Sequence, residues 1–378
     1  MSTIQVFSPT ISLSDIHAIA HTLESGWLGK GEKVTRFEQN FAEYINVNSD
    51  RVVSINSCTE ALFLAIELLD IFPGDEVIIP SIHFVGAAQA VIAKGAIPVF
   101  CDVDSRTLNT TLELVESKFH IGKTAAVILL HYGGVPCADT FKIKQWCDEL
   151  GLYLIEDSAC SLGATLNGKA CGIIGDVGVW SFDAMKLITT GDGGMMYFAD
   201  DDMAQEARLK TYLGQSQVSG LNSNKPKWWE FEVSYPGARR SIMNDIAASL
   251  GIEQLKKIEE FLFFRYHSVW KKYDKFILNN DIQVEVPEIP NDLDGGTRLS
   301  CYFYWIQTPL RDDLAQFLRS KDIYTTFRYY PLHWAYKTGD SLPGAEKAAN
   351  ETLLLPLHCG LSDGDVSYIC DMVKEFYA

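Results

Sequence analysis

The stretch WSFDAMKLITTGDGGMMYF, Trp180 to Phe198, decides how this chain is read. An apolar, strand-like run ends at Trp180 and Ser181, a single lysine follows at Lys186, and a glycine cluster comes next at Gly191, Gly193 and Gly194. A lysine ammonium is strongly hydrated and is seldom buried without a partner. Set in a segment whose neighbours read as interior, Lys186 needs a chemical reason to be there.

Working outward, short apolar runs alternate with longer helix-like segments. DRVVSINS, GDEVIIPS, AIPVFCDVD, TAAVILLHY and LYLIEDS read as strands. TEALFLAIELLD, the alanine-rich FVGAAQAVIAKG, and TFKIKQWCDELG, ending at Gly151, read as helices. Continuous apolar strands interleaved with helices predict an α/β fold, a mainly parallel sheet covered on both faces. From residue 243 the pattern changes. MNDIAASLGIEQLKKIEEFLFFRYHSVWKKYDKFIL carries Ile246, Leu250, Leu255, Ile258 and Leu262 at helical spacing and predicts one long connecting helix. VPEIPNDLDGG reads as a loop and CYFYWIQTPL as a strand. These readings place a large domain over 1–255 and a smaller C-terminal α/β domain over 256–378.

Composition narrows the function classes. Of 378 residues, 47% are hydrophobic, enough for a sizeable core, and the formal charge is −17. Such a chain repels nucleic acid and anionic membranes as a whole. The start MSTIQVFSPTISLSDIHAIA has neither a basic lead nor a continuous apolar run, and no stretch is long enough to cross a membrane. The nine cysteines form no CxxC and no metal-finger spacing; they read as buried small hydrophobes in a reducing, cytoplasmic setting, with no metal site. No GxGxxG follows the first strand, which argues against a dinucleotide fold.

In open parallel sheets ligands gather at the carboxyl ends of the strands. Four pieces fall there: NSCT (56–59) before a helix, Asp157 at the end of LYLIED, Ser181 with Lys186, and the TTGDGG turn. Backbone N–H groups and the Thr59 hydroxyl at a helix start suit an anion. A carboxylate and a desolvated lysine complete the needs of pyridoxal 5′-phosphate, whose phosphate, protonated ring nitrogen and aldehyde require those groups. Nearby cations are expected to favour the neutral, nucleophilic lysine amine. Singly, each piece has a plainer explanation: a strand-end Asp caps turns, and NSCT is a helix N-cap.

SFDAMKLITTGDGGM resembles the lysine signature of the DegT/DnrJ/EryC1/StrS sugar aminotransferases, which are fold-type I pyridoxal phosphate enzymes. ESGWLGKGEKVTRFEQNFAEYINV, NSCTEALFLAI, GDEVIIPSIHFVGAAQAV, AIPVFCDVD, LIEDSACSLGA and YYPLHWAY extend the resemblance over nearly the whole chain. It implies that Lys186 bonds to the cofactor aldehyde and moves the substrate proton. It implies that Asp157 pairs with the ring nitrogen, that Ser181, Cys58 and Thr59 bind phosphate, and that Phe84 stacks on the ring. His333, Trp27 and Leu28 would border the sugar. Three departures stand out. Cys58 replaces the family's usual Gly, Cys160 replaces a Gln that supports the ring hydroxyl, and GARRSIMNDIAASLG puts Arg240 where the family has an Asn that reaches the neighbouring subunit's phosphate. Arg240 would serve that role in a homodimer with shared active sites.

The family's donor is L-glutamate. For the acceptor, the reading favours the C8 aldehyde of 3-deoxy-manno-octulosonate, giving the 8-amino sugar of lipopolysaccharide, with Arg239, Arg240 and Arg328 meeting its carboxylate. A nucleotide-linked 4-keto-6-deoxyhexose is the alternative acceptor. NSNKPKWWEFEVSYPG (222–237) reads as a sugar-selecting lid, or as a dimer contact through Trp228 and Trp229. A lyase or decarboxylase on the same fold, and a pyridoxal phosphate-binding regulator or sensor, are the competing classes.

Overall fold

The computed structural model describes residues 3–215, 226, 227, 229–290 and 295–378. The apolar runs become β1 (Val52–Ile55), β2 (Glu76–Pro80), β3 (Ile97–Cys101), β4 (Thr124–Leu130) and β5 (Tyr153–Asp157). A small hairpin, β6 (Thr165–Leu166) and β7 (Lys169–Ala170), precedes β8 (Val177–Ser181) and β9 (Gly194–Phe198). The seven-stranded sheet runs β1-β9-β8-β5-β4-β2-β3. The β8–β5, β5–β4, β4–β2 and β2–β3 pairs are parallel, while β9 is antiparallel to both β1 and β8. One reversed strand therefore sits in an otherwise parallel sheet. Strands β1, β2, β8 and β9 are almost wholly buried, as expected of strands covered on both faces.

The helices are α1 (Leu13–Glu24), α2 (Glu32–Tyr44), α3 (Cys58–Leu68), α4 (Val85–Ala93), α5 (Leu112–Glu116), α6 (Thr140–Leu150) and α7 (Asp201–Lys210), then α8 (Asp245–Leu255), α9 (Ile258–Phe264) and α10 (Lys271–Asn279). Side chains at Ser57, Asp200 and Asn244 cap α3, α7 and α8, and α6 stops at Gly151, whose φ of 69° is easy only for glycine. The remaining segment holds β10 (Tyr304–Gln307), α11 (Arg311–Ser320), α12 (Leu332–Ala335), α13 (Pro343–Glu351), β11 (Thr352–Leu355) and α14 (Asp363–Tyr377), with β10 and β11 forming an antiparallel pair. No helix among the described residues is long and apolar enough to cross a membrane.

The single helix expected over 243–278 does not form. It breaks at Lys256 and Lys257 and loosens into a π-helical turn at Arg265–Trp270. The break has a tertiary cause: Lys257 Nζ reaches Asp15 Oδ2 at 2.5 Å and Ser12 Oγ at 2.9 Å, binding the junction to the start of α1. Asp245, at the first position of α8, accepts N–H bonds from Gly31 (2.8 Å) and Val34 (3.1 Å) and so caps α2 from a distance.

Candidate active site

Strands β1, β5 and β8 end on the same edge of the sheet, and β9 begins there. This brings together Cys58, Asp157, Ser181 and Gly194. Lys186 follows β8 in a loop closed by the Phe182–Thr190 backbone bond, with Phe182 anchored against Phe37 at 5.2 Å. Lys186 Nζ donates to Cys160 Sγ at 3.5 Å and lies 4.7 Å from the centre of the Tyr302 ring. Tyr302 is buried, and its hydroxyl donates to the Met185 carbonyl at 3.3 Å. It therefore braces the residue next to the lysine. Burial works against the Lys186 charge, but Cys160, Tyr302, Cys58 and Asp157 all favour the ammonium, and the net shift is upward. This corrects the expectation of a neutral-leaning amine: the groups facing Nζ are acids and potential acids, not cations.

Asp157 is 2% exposed, with Oδ1 accepting from Ala159 N–H at 3.0 Å. His83 Nε2 stands 3.6 Å from Asp157 Oδ2. Burial pushes the His83 imidazole down against the pull of Asp157, which favours the neutral ring. On the opposite face of β5, Glu156 accepts N–H bonds from Gly172 (2.9 Å), Ile174 (2.6 Å) and Gly175 (2.5 Å) and meets His131 Nε2 at 2.9 Å. His131 Nδ1 accepts from Cys137 N–H at 3.1 Å, so the ring proton toward Glu156 sits on Nε2. This buried network pins the turn that feeds β8 and thereby places Ser181. His83, Tyr302, Tyr329 and the Glu156–His131 pair carry no role expected from the sequence. His83, Glu156 and Tyr329 lie inside the family-like stretches GDEVIIPSIHFVGAAQAV, LIEDSACSLGA and YYPLHWAY, the signal that could have found them.

The comparisons with known proteins agree with this geometry. The model of the DegT/DnrJ/EryC1/StrS aminotransferase family matches residues 9–374. The chain belongs to that family. It is 44% identical to the dTDP-4-dehydro-2,3,6-trideoxy-D-glucose 4-aminotransferase of Saccharopolyspora spinosa, over 98% of this chain and 96% of that protein. Among solved structures it resembles the aminotransferase TlmJ from Streptoalloteichus hindustanus, with 47% identity, a TM-score of 0.92, and 99% and 98% of the two chains covered. It also resembles the PLP form of the sugar aminotransferase Spr1654 from Streptococcus pneumoniae, with 27% identity, a TM-score of 0.87, and 99% and 98% covered. The protein is a pyridoxal phosphate-dependent sugar aminotransferase with the fold-type I architecture.

The residues of this family member fit the cofactor. In the first turn of α3, Ser57 Oγ accepts from Glu60 N–H at 3.1 Å, while the N–H groups of Cys58 and Thr59 have no acceptor among the described residues. They are free for a phosphate at a helix N-terminus. The Cys58 side chain is buried against the core yet near enough to Lys186 and Asp157 to feel both charges, so the departure from glycine adds a thiol beside the cradle. Gly194 lets β9 lie against that turn: a Cβ there would come within 2.8 Å of Cys58 N. His83 Nε2 is buried without a hydrogen-bond partner beside Asp157, an orphaned polar atom at the place where a ring would sit. Ser181 Oγ, accepting only a 3.3 Å bond from Asp183 N–H, keeps its own proton to donate.

Other residues singled out from the sequence land elsewhere. Phe84, expected to stack on the cofactor ring, is 45% exposed, with its own ring edge-on to Tyr329 at 5.9 Å. His333, expected to border the sugar, is 1% exposed, with Nδ1 2.6 Å from Ser81 Oγ, and Leu332 N–H bonds the Ser81 carbonyl, so α12 straps the end of β2. Arg239 is held by Glu60 (2.8 Å) and Glu67 (3.3 Å) on the outer face of α3 and does not join the Lys186 cluster. Arg240 is exposed and lies over the Tyr212 ring, and Arg328 lies over the Phe7 ring at 4.9 Å. Trp27 and Leu28 are exposed between α1 and α2, with Trp27 Nε1 donating to the Lys30 carbonyl at 3.3 Å. Of the expected lid, residues 222–225 and Trp228 lie outside the described residues, and Trp229 is exposed.

Proposed function

We propose that this aminotransferase moves an amino group from L-glutamate to the 4-keto carbon of a nucleotide-linked deoxyhexose. One observation carries the reading: the Lys186 amine, the Asp157 carboxylate and the free α3 amides converge on one sheet edge in a chain 44% identical to a nucleotide-sugar 4-aminotransferase. The octulosonate acceptor loses its support. It rested on Arg239, Arg240 and Arg328 meeting a sugar carboxylate, yet Arg239 is paired with two glutamates and Arg240 and Arg328 are laid over the Tyr212 and Phe7 rings.

Bound here, pyridoxal phosphate supplies an aldehyde and an electron-withdrawing ring that stabilises negative charge at the carbon bearing the nitrogen. The chain's own groups do the rest. The α3 amides of Cys58 and Thr59, with the Thr59 and Ser181 hydroxyls, hold the phosphate. Asp157 keeps the ring nitrogen protonated, and Phe84 covers one ring face. Lys186 would hold the cofactor through its amine and would serve as the base and acid that moves the proton at the reacting carbon. A homodimer with shared sites belongs to the same reading. Helix α1 buries Asp15 and Thr22 while exposing Leu13, Ile16 and Leu23, an inverted pattern suited to a second copy, and Arg240, exposed over the Tyr212 ring, would reach across to it.

The test uses purified protein loaded with pyridoxal phosphate. Added L-glutamate should convert the visible cofactor band to that of the pyridoxamine form, in the native protein and not in Lys186→Ala. The loaded protein should then aminate a dTDP-linked 4-keto-deoxyhexose, read by mass. A cofactor band that glutamate leaves unmoved would point to the sensor or lyase class, and amination of the octulosonate aldehyde alone would overturn the acceptor.

A further inference from the structure

We propose that Cys160 is a positioning residue: its thiol bridges the Lys186 amine to the Tyr329 phenol and holds that amine in place for covalent capture of the cofactor. This rests on the reading of Lys186 as the capturing lysine. Cys160 is 3% exposed, and its sulfur has two polar neighbours, Lys186 Nζ at 3.5 Å and Tyr329 Oη at 3.6 Å. The sulfur accepts from the ammonium; toward the phenol either group can donate, and the arrangement proposed has the thiol donating, which leaves its lone pairs for the ammonium. Tyr329 stands 169 residues further along and is itself wedged edge-on between Phe84 (5.9 Å) and Phe303 (6.3 Å). The thiol is thus fixed from the far side by a ring that cannot easily move.

Sulfur suits the task because it is weak. A carboxylate at this place would lock the ammonium, whereas a thiol orients it and lets go. The titratable groups facing Lys186 are Cys160 and Asp157 from the end of β5, Cys58 from α3, and Tyr302 from the C-terminal segment, with Arg265 and Arg328 behind Tyr302. Among them, Cys160 is the one whose atom receives a hydrogen bond from Nζ. An acceptor for the ammonium N–H stabilises the charged form, so removing it frees the amine at lower pH. The Tyr329 oxygen polarises the thiol and strengthens it as an acceptor, so losing that oxygen acts in the same direction and more weakly.

The experiment mixes cofactor-free protein with pyridoxal phosphate and follows covalent capture by absorbance across the pH range in which a lysine titrates. In Cys160→Ala the midpoint of the profile should fall by roughly half to one unit, a three- to tenfold gain in neutral amine below the midpoint. Tyr329→Phe should move it the same way by less. Because that variant removes a single oxygen, it keeps the test alive if Cys160→Ala does not fold. Cavity formation alone would lower the melting temperature and leave the midpoint in place. A midpoint unchanged in both variants overturns the proposal. Capture that persists in Lys186→Ala would instead refute the lysine assignment, a distinct outcome.

Discussion

Gly194→Ala tests whether the first turn of α3 holds the phosphate. Gly194 pairs with Ser181 of β8 on one side and with Ile55 of β1 on the other, at the mouth of the site. A Cβ there would lie 2.8 Å from Cys58 N, 2.9 Å from the Ser57 carbonyl carbon and 3.1 Å from Ile55 Cγ2. Two of these are backbone atoms that cannot swing aside, so the helix start must shift by several tenths of an ångström. Overpacking of this kind costs about 1–3 kcal/mol. The displaced atom is one of the amides free for phosphate, so much of that cost should appear as lost cofactor affinity, about a five- to hundredfold rise in Kd. The assay titrates cofactor-free Gly194→Ala with pyridoxal phosphate, beside Gly29→Ala, where a Cβ meets nothing within 4 Å. The control should stay within twofold of the native Kd. If Gly194→Ala also stays within twofold while its melting temperature falls, the strain has been taken up without any loss of cofactor affinity, and the tie between the Cys58 amide and the phosphate would fail.

Asp157→Asn should still bind the cofactor but slow the glutamate half-reaction by about two to three orders of magnitude, since a neutral amide no longer holds the ring nitrogen protonated; single-turnover spectra check this. Glu156→Gln should cost about 1–3 kcal/mol in urea unfolding, because an amide cannot accept at every place where the buried carboxylate receives three backbone N–H bonds and a bond from His131. His358 is held down to about 4 from 6.5 by burial and by Arg265, with Nε2 donating to the Gln5 carbonyl and Nδ1 accepting from Gly360 N–H. Its folded value is depressed, so its contribution is whole above the unfolded pKa and is lost as pH falls toward the folded one. About 3 kcal/mol of stability should vanish between those two values, and His358→Gln should flatten the urea-midpoint profile there.

Much of this protein is legible along the chain. Strands β1 to β5 and helices α3, α4 and α6 are written in local apolar patterns, with Ser57 and Gly151 marking where helices start and stop. The chemistry-bearing residues are legible for a related reason. In a parallel sheet the ends of strands share one edge, so Asp157, Ser181 and the NSCT turn have to meet once the strands are recognised. What the chain cannot disclose by itself is whatever depends on contact between distant elements. The reversal of β9, the break of the long helix by Lys257 reaching Asp15, and the burial of His333 against Ser81, 252 residues away, follow no local period. The same is true of the surroundings of Lys186. Its charge state is decided by Cys160, Tyr302, Cys58 and Asp157, drawn from separate places in the chain, and electrostatic and hydrogen-bond energies depend on ångström-scale distances that only the folded packing sets.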